Sequence, residues 1–158
     1  MKILLSGADG FTGRSFTEMA QLAGHEVIPL CADLRNGSAL AAEVLSVQPE
    51  AVVHLAGIAF VGHASEEAFY SVNVVGTTNL LSALVRLEHP PRSVLLASSA
   101  NVYGNCEAFP IEEGQPPVPV NHYAMSKLAM EHMARTYMDR LRIVLGPALK
   151  QNRTGAAG

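Results

Sequence analysis

The sequence predicts an α/β fold in which a parallel sheet carries helices on both faces. Short apolar segments alternate with segments of helical length along most of the 158 residues. The apolar segments lack the polar alternation of half-exposed strands, so both faces of the sheet should be buried. Strands separated by helices are joined by right-handed crossovers, which build a doubly wound parallel sheet. Ligands of such sheets bind beyond the carboxyl ends of the strands.

Apolar runs, helical periodicity and glycine or proline stops place the individual elements. The predicted strands span 2–6, 26–30, 51–55, 93–97 and 142–145, and the predicted helices span 11–22, 38–47, 66–87 and 123–138. Pro29 lacks a backbone N–H, so we expect the second strand at an edge of the sheet, or ending there. Four prolines between 104 and 121 predict an ordered or semi-ordered loop.

Composition excludes several classes of protein. Eleven Lys and Arg against fourteen Asp and Glu give a net charge of −3, which argues against nucleic-acid binding. Hydrophobic residues make up 49% of the chain, yet no apolar stretch reaches the roughly 18–20 residues that span a membrane. Cys31 and Cys106 are too few for a disulfide framework, and the first strand leaves no room for a signal peptide. We therefore expect a cytoplasmic protein, and no zinc-ligand spacing among the His and Cys residues predicts a metal.

Three glycines separate the first predicted strand from the first predicted helix. Gly7, Gly10 and Gly13 follow the spacing Gly-x-x-Gly-x-x-Gly, a variant of the Gly-x-Gly-x-x-Gly pattern of dinucleotide-binding enzymes. Glycines here permit a tight turn and a close approach of the backbone to a pyrophosphate. The N–H groups that begin the helix then face the phosphates. The loop favours dinucleotide binding, and a tight strand–helix turn without a ligand is the alternative.

Two further segments carry candidate catalytic side chains. Tyr123 and Lys127 lie four residues apart in a predicted helix and therefore share a face. A nearby ammonium favours the phenolate and lowers the pKa of a tyrosine from about 10 toward the range of a general acid or base. Ser98 and Ser99 follow the fourth predicted strand, where a hydroxyl would donate to a substrate carbonyl oxygen. A surface Tyr–Lys pair and serines that cap a strand end are the alternatives.

Taken in order, these segments resemble the extended short-chain dehydrogenase/reductase family of nucleotide-sugar epimerases, dehydratases and reductases. The resemblance covers about residues 1–145. It rests on the three glycines and on the segments 54–57, 73–77, 98–104 and 123–127. Residues 50–104 are most similar to reductases and dehydratases that act on GDP-linked 6-deoxy sugars. A Rossmann-like domain that binds NAD or NADP is what the resemblance implies.

Family roles fall on individual positions of this sequence. Tyr123 would exchange a proton with a sugar hydroxyl or keto oxygen, and Lys127 would lower its pKa and hold the nicotinamide ribose. Ser99, four residues before Tyr103, occupies the position of the catalytic serine or threonine. The implied cofactor contacts are Gly7, Gly10, Phe11, Thr12, Gly13, Asp33, Leu34, Leu55, Ala56, Gly57, Asn73, Tyr123 and Lys127, with the backbone amides of Phe11 and Thr12 at the pyrophosphate.

The adenosine end of the cofactor is the least determined part of this set. The second strand ends without the acidic residue that usually binds the ribose hydroxyls and selects NAD. Asp33 and Leu34 instead resemble a pair that contacts adenine, which leaves NAD against NADP open. Arg14 and Arg35 are candidate partners for a phosphate, or solvated surface residues. A surface role for Asp33 and a helix-packing role for Asn73 are the corresponding alternatives.

The resemblance implies reduction of a 4-keto sugar or 4-epimerisation of a nucleotide-linked sugar by hydride transfer. A 4,6-dehydratase is a weaker alternative, because Asn101 stands where dehydratases carry a glutamate, unless one of the loop glutamates 107, 112 or 113 replaces it. A dinucleotide-binding module without catalysis is a third possibility. It follows from the division we expect, a cofactor-binding domain at 1–146 and a divergent tail at 147–158, with most of the substrate region of relatives absent. Helices 66–87 and 122–138 form the dimer contact of relatives, which predicts a homodimer.

Overall fold

Five parallel strands form one sheet in the part of the chain that the structure, a computed structural model, describes: residues 1–59, 65–105, 111–112 and 114–146. The strands are β1 (Lys2–Ser6), β2 (Glu26–Pro29), β3 (Ala51–His54), β4 (Val94–Ala97) and β5 (Ile143–Gly146). Their order is β2-β1-β3-β4-β5, and every neighbouring pair is parallel. The predicted edge position of the second strand is confirmed, and Pro29 is its last residue.

Helices cover both faces of this sheet, as predicted. They are α1 (Phe11–Leu22), α2 (Gly37–Val47), α3 (Glu67–Tyr70), α4 (Thr77–Leu84) and α5 (His122–Arg135). Along β1 the side chains alternate between the faces. Leu4 belongs to the larger core cluster, with residues of α2, α4 and α5, whereas Ile3 and Leu5 pack with Ala20 of α1. The fold is therefore the expected doubly wound, Rossmann-like α/β sheet.

The predicted helix 66–87 is wrong as a single α-helix. The structure divides it into α3, a π-helical segment (Ser71–Gly76) and α4. The segment holds three valines and ends on Gly76, which are weak α-helix formers. Hydroxyl groups support the wider turn, since Thr77 Oγ1 donates to the Asn73 carbonyl at 2.8 Å and Thr78 Oγ1 donates to the Val74 carbonyl at 2.8 Å. Periodicity of apolar residues does not reveal such a local widening, because the helix continues on both sides of it.

Side-chain caps fix the start of two helices. Asn36 Oδ1 accepts from the N–H of Ala39 at 3.1 Å before α2, and Asn121 Oδ1 accepts from the N–H of Ala124 at 2.8 Å before α5. α5 ends at Arg135, three residues before the predicted end, and turns follow it. A short 3₁₀ helix (Ala100–Tyr103), which the sequence does not predict, follows β4.

Some expectations fall outside the described residues. They concern Cys106, the glutamates at 107 and 113, Pro110 and the tail 147–158. Cys31 is exposed. Among the helices of the described ranges, none combines the length and the apolar character that crossing a membrane requires.

Candidate active site

The glycine loop between β1 and α1 is built from positions that exclude a side chain. Gly7 has φ +74°, and a Cβ there would lie 2.7 Å from the backbone nitrogen of Ala56. A Cβ on Gly13 would overlap the carbonyl oxygen of Gly7. Gly10 occupies the N-cap of α1, so no side chain covers the first N–H groups of the helix. Phe11 is the first residue of the helix and is 84% exposed.

The loop after β3 lies beside the glycine loop and touches the predicted catalytic lysine. Ser6, at the end of β1, accepts the N–H of Ala56 on its Oγ at 3.2 Å. A Cβ added to Gly57 would stand 2.9 Å from Lys127 Nζ and 3.0 Å from Asn73 Oδ1. The structure therefore brings together three predicted site residues that come from the loop after β3, the π-helical segment and α5.

Asn73 joins that loop to α5. Its side chain is buried, and Oδ1 accepts the N–H of Ile58 at 2.9 Å. Its Nδ2 donates to the Ile58 carbonyl at 3.1 Å and to Ser126 Oγ at 3.0 Å. Ser126 in turn donates to the Tyr123 carbonyl at 2.8 Å. Asn73 therefore packs between the loop after β3 and α5, and its contact with the cofactor stays a prediction.

Lys127 is buried, and its ammonium lies at the carboxyl end of β4. Nζ donates to the carbonyl oxygen of Ala97 at 3.1 Å, where β4 ends. Burial lowers the pKa of Lys127 to about 8, and the nearby Glu131 carboxylate partly opposes the shift. Tyr123 lies one turn earlier on α5, partly buried, with its ring centre 6.2 Å from that of Phe69.

The two serines after β4 have different partners. Ser98 is buried and donates to Glu131 Oε1 on α5. Ser99 Oγ accepts the N–H of Asn101 at 3.2 Å and borders a cavity of about 200 Å³ lined also by Tyr103 and Arg135. Ser99 therefore borders an open cavity, whereas the hydroxyl of Ser98 is bonded to Glu131. The sequence assigns no role to Glu131, which lies four residues after Lys127 on the same face of α5.

Asp33 and Leu34 point in different directions. Asp33 is exposed, and Arg35 donates to it both from the backbone at 2.9 Å and from the guanidinium at 2.6 Å. These hydrogen bonds lower the pKa of Asp33 to about 2. The Leu34 side chain is buried in the core against Gly76, so Asp33 is the exposed member of the pair. Arg14 donates to the Asp9 carbonyl at 2.5 Å, so both candidate arginines already have partners within the chain.

One family of known proteins matches the sequence of this chain. The model of the NAD-dependent epimerase/dehydratase family matches residues 3–145. The chain belongs to this family. The cofactor of the family is NAD. The resemblance expected from the sequence is thereby confirmed, together with the doubly wound fold.

Individual relatives in the NAD-dependent epimerase/dehydratase family catalyse reactions of nucleotide sugars. The chain is 37% identical over 142 residues to a GDP-6-deoxy-D-talose 4-dehydrogenase from Aggregatibacter actinomycetemcomitans, covering 87% of this chain and 48% of the relative. A candidate epimerase from Burkholderia cenocepacia superposes with a TM-score of 0.86 at 40% identity, over 92% of this chain and 53% of that one. UDP-glucose 4-epimerase of Brucella ovis, solved with NAD, superposes with a TM-score of 0.82 at 28% identity, over 91% and 50%. The chain thus spans about half the length of the relatives it matches.

Proposed function

We propose that this chain binds NAD and takes part in the oxidation, reduction or 4-epimerisation of a nucleotide-linked sugar. The observation that carries the proposal is the meeting of Gly57, Asn73 and Lys127 beside the glycine loop, at the carboxyl ends of β1, β3 and β4. Ligands of doubly wound sheets bind beyond these carboxyl ends of the strands. Two of the relatives are a 4-dehydrogenase and a 4-epimerase of such sugars, which supports the same chemistry.

NAD fits the residues that surround the glycine loop. Gly10 at the N-cap carries no side chain that would cover the first N–H groups of α1, and these groups suit a pyrophosphate. NAD is the cofactor of the family, and the exposed Asp33, paired with Arg35, is the candidate contact for the adenosine end. When bound, NAD supplies the acceptor and donor of hydride.

In the proposed reaction, Tyr123 exchanges a proton with the sugar, and the positive charge of Lys127 assists that exchange. Oxidation of a sugar carbinol releases a hydride from carbon and a proton from the hydroxyl, and the phenolate oxygen of Tyr123 takes the proton. The ammonium of Lys127 stabilises that phenolate. Ser99 donates a hydrogen bond to the developing keto oxygen. Reduction runs through the same groups in reverse, so one site serves both directions.

Within this class we propose a reductase, dehydrogenase or 4-epimerase acting on a GDP-linked sugar, ahead of a 4,6-dehydratase. GDP is favoured by the 37% identity to the GDP-6-deoxy-D-talose 4-dehydrogenase. Asn101 argues against the dehydratase, because its carboxamide, exposed in the turn after β4, is not a base.

A homodimer and a cytoplasmic location complete the proposal. Val75 in the π-helical segment is 51% exposed and Met125 on α5 is 44% exposed, which supports association through these helices. Sedimentation equilibrium of the purified chain tests this contact. Val75→Asp and Met125→Asp should shift the mass toward the monomer, whereas a monomeric wild-type chain would reject the dimer.

Calorimetry and absorbance of the reduced nicotinamide test the activity. The purified chain is titrated with NAD and NADP, then given GDP-6-deoxy-D-talose or UDP-glucose with NAD. NAD binding with sugar-dependent absorbance supports an enzyme, and Tyr123→Phe should then keep NAD binding and lose turnover. NAD binding with neither sugar-dependent absorbance nor a 4-epimerised sugar among the products favours a non-catalytic module. Failure to bind any dinucleotide contradicts both.

A further inference from the structure

A buried histidine lies directly beneath the candidate site. His54 ends β3, is 2% exposed and has hydrogen-bond partners on both ring nitrogens. Nδ1 lies 2.5 Å from Ser6 Oγ, and Nε2 lies 2.9 Å from Thr77 Oγ1. Its contacts join β1, β3 and α4.

The neighbouring bonds determine which ring nitrogen of His54 carries the hydrogen. Thr77 gives its single hydroxyl hydrogen to the Asn73 carbonyl at 2.8 Å, so Thr77 Oγ1 must accept from Nε2–H of the histidine. Nδ1 is then an acceptor and receives the hydroxyl hydrogen of Ser6. Ser6 Oγ accepts in turn from the N–H of Ala56 at 3.2 Å. Donation therefore runs in one direction, from Ala56 through Ser6, His54 and Thr77 to the Asn73 carbonyl.

The ring is held neutral by its surroundings. Burial, together with the positive charge of Lys127, lowers the pKa of His54 to about 3. A charged imidazole would have hydrogen on both nitrogens and would confront the hydroxyl hydrogen of Ser6. The neutral ring satisfies every member of the chain of bonds.

We propose that His54, as the neutral Nε2–H tautomer, is a positioning residue that sets the spacing between the loop at Ala56–Gly57 and the π-helical segment at Asn73. The two ends of its hydrogen-bond chain are the Ala56 N–H and the Asn73 carbonyl. Both ends border the site, because Gly57 follows Ala56 and faces the Asn73 side chain and Lys127. The effect of His54 on NAD affinity rests on the proposed function, whereas its tautomer does not.

Asparagine and glutamine each reproduce one half of the imidazole. In His54→Asn the Oδ1 atom takes the place of Nδ1 and still accepts from Ser6, but the donor to Thr77 is lost. In His54→Gln the Nε2 atom takes the place of the donor to Thr77, but the acceptor for Ser6 is lost. Ser6 orients the Ala56 N–H, so the asparagine variant should hold the loop better than the glutamine variant.

Nitrogen-15 NMR of the histidine rings in the unliganded chain tests the tautomer. His54 should show a protonated Nε2 and an unprotonated Nδ1, unchanged between pH 8 and pH 5. The exposed His89 serves as the reference histidine in the same spectra. A protonated Nδ1, or titration of His54 near pH 6.5, would overturn the proposal whether or not the chain binds NAD.

Calorimetric titration with NAD tests the positioning. Loss of one hydrogen bond should raise the Kd about fivefold, so His54→Asn should bind more tightly than His54→Gln, and His54→Phe least tightly. His89→Asn and His89→Gln are the matched controls and should bind as the wild type does. Circular dichroism identifies the folded variants. Wild-type affinity in the folded His54 variants, or the reverse order of Asn and Gln, would reject the positioning role; a wild-type chain that does not bind NAD would instead reject the proposed function.

Discussion

Gly57 occupies a position in the candidate site that no side chain fits. Its missing Cβ would stand 2.9 Å from Lys127 Nζ and 3.0 Å from Asn73 Oδ1. We expect Gly57→Ala to displace the lysine and to raise the Kd for NAD by about tenfold, with about 1–2 kcal/mol lost in the free energy of unfolding. Gly114→Ala is the control, since a Cβ there meets nothing within 4 Å. Equal affinity of both variants in calorimetric titration would contradict the crowding at Gly57.

Because Lys127 is buried, the free energy of unfolding should change with pH in the alkaline range. Its pKa falls from 10.5 to about 8 in the folded chain. Between these values the unfolded chain binds more protons, so folding becomes more favourable as pH rises. Relative to Lys127→Met, the wild type should gain up to about 3 kcal/mol in the free energy of unfolding from pH 8 to 10.5. Urea unfolding at three pH values measures it, and a constant difference between the two proteins would show that the lysine is not perturbed.

Single residues differ in how far the sequence predicts them. The three glycines and the Tyr123–Lys127 pair follow from spacing within one loop or one helix. His54 and Glu131 acquire their contacts only when separate elements meet, as in the bond between Glu131 and Ser98. No local pattern encodes such a contact, so their functions required the structure.

At the scale of elements, the N-caps of α2 and α5 offer a matched pair. Asn36 and Asn121 each accept a backbone N–H from the third following residue. Replacing either by alanine should lower the free energy of unfolding by about 1 kcal/mol. Only Asn121→Ala loosens the turn that carries Tyr123, so it should also reduce sugar-dependent hydride transfer, whereas Asn36→Ala should not. Chemical denaturation and absorbance of reduced nicotinamide give the two readouts, and equal rates in both variants would contradict the link to Tyr123.

The π-helical segment is the element that sequence reasoning missed. Apolar spacing predicted helix through this region, and helix is present, but the hydroxyl bonds of Thr77 and Thr78 to carbonyls four residues back accompany a wider turn. These bonds place Asn73 between Ile58 and Ser126. The sequence motif predicted that Asn73 lies near the site, but it did not predict the backbone geometry that orients the Asn73 side chain.

The whole molecule should respond to acid through His54. The folded ring protonates near pH 3, whereas an unfolded histidine protonates near 6.5. Between these values the unfolded chain binds more protons, so acid favours unfolding. The free energy of unfolding of the wild type should therefore fall from pH 6.5 to pH 3 more steeply than that of His54→Asn. Parallel slopes in denaturation at stepped pH would show that the histidine is protonated in the folded state.

The global architecture was the most predictable level. Strand–helix alternation and right-handed crossovers leave few arrangements, and the observed order β2-β1-β3-β4-β5 is one of them. The apolar strands predicted burial on both faces, and the two core clusters on opposite sides of the sheet agree. Fine boundaries shifted by one to three residues, because caps and turns rather than periodicity end each element.

Pro29 has a consequence for how this molecule meets other copies of itself. β2 lies at the sheet edge, and the N–H groups of Glu26 and Leu30 donate inward, to Met1 and Leu5. The residues between them at odd positions therefore direct their N–H groups outward, and the proline has none to offer. An extended segment of another copy that paired with β2 would find no N–H donor at Pro29, the last residue of the strand. The same residue that ends the strand thus protects this border against intermolecular strand addition and aggregation.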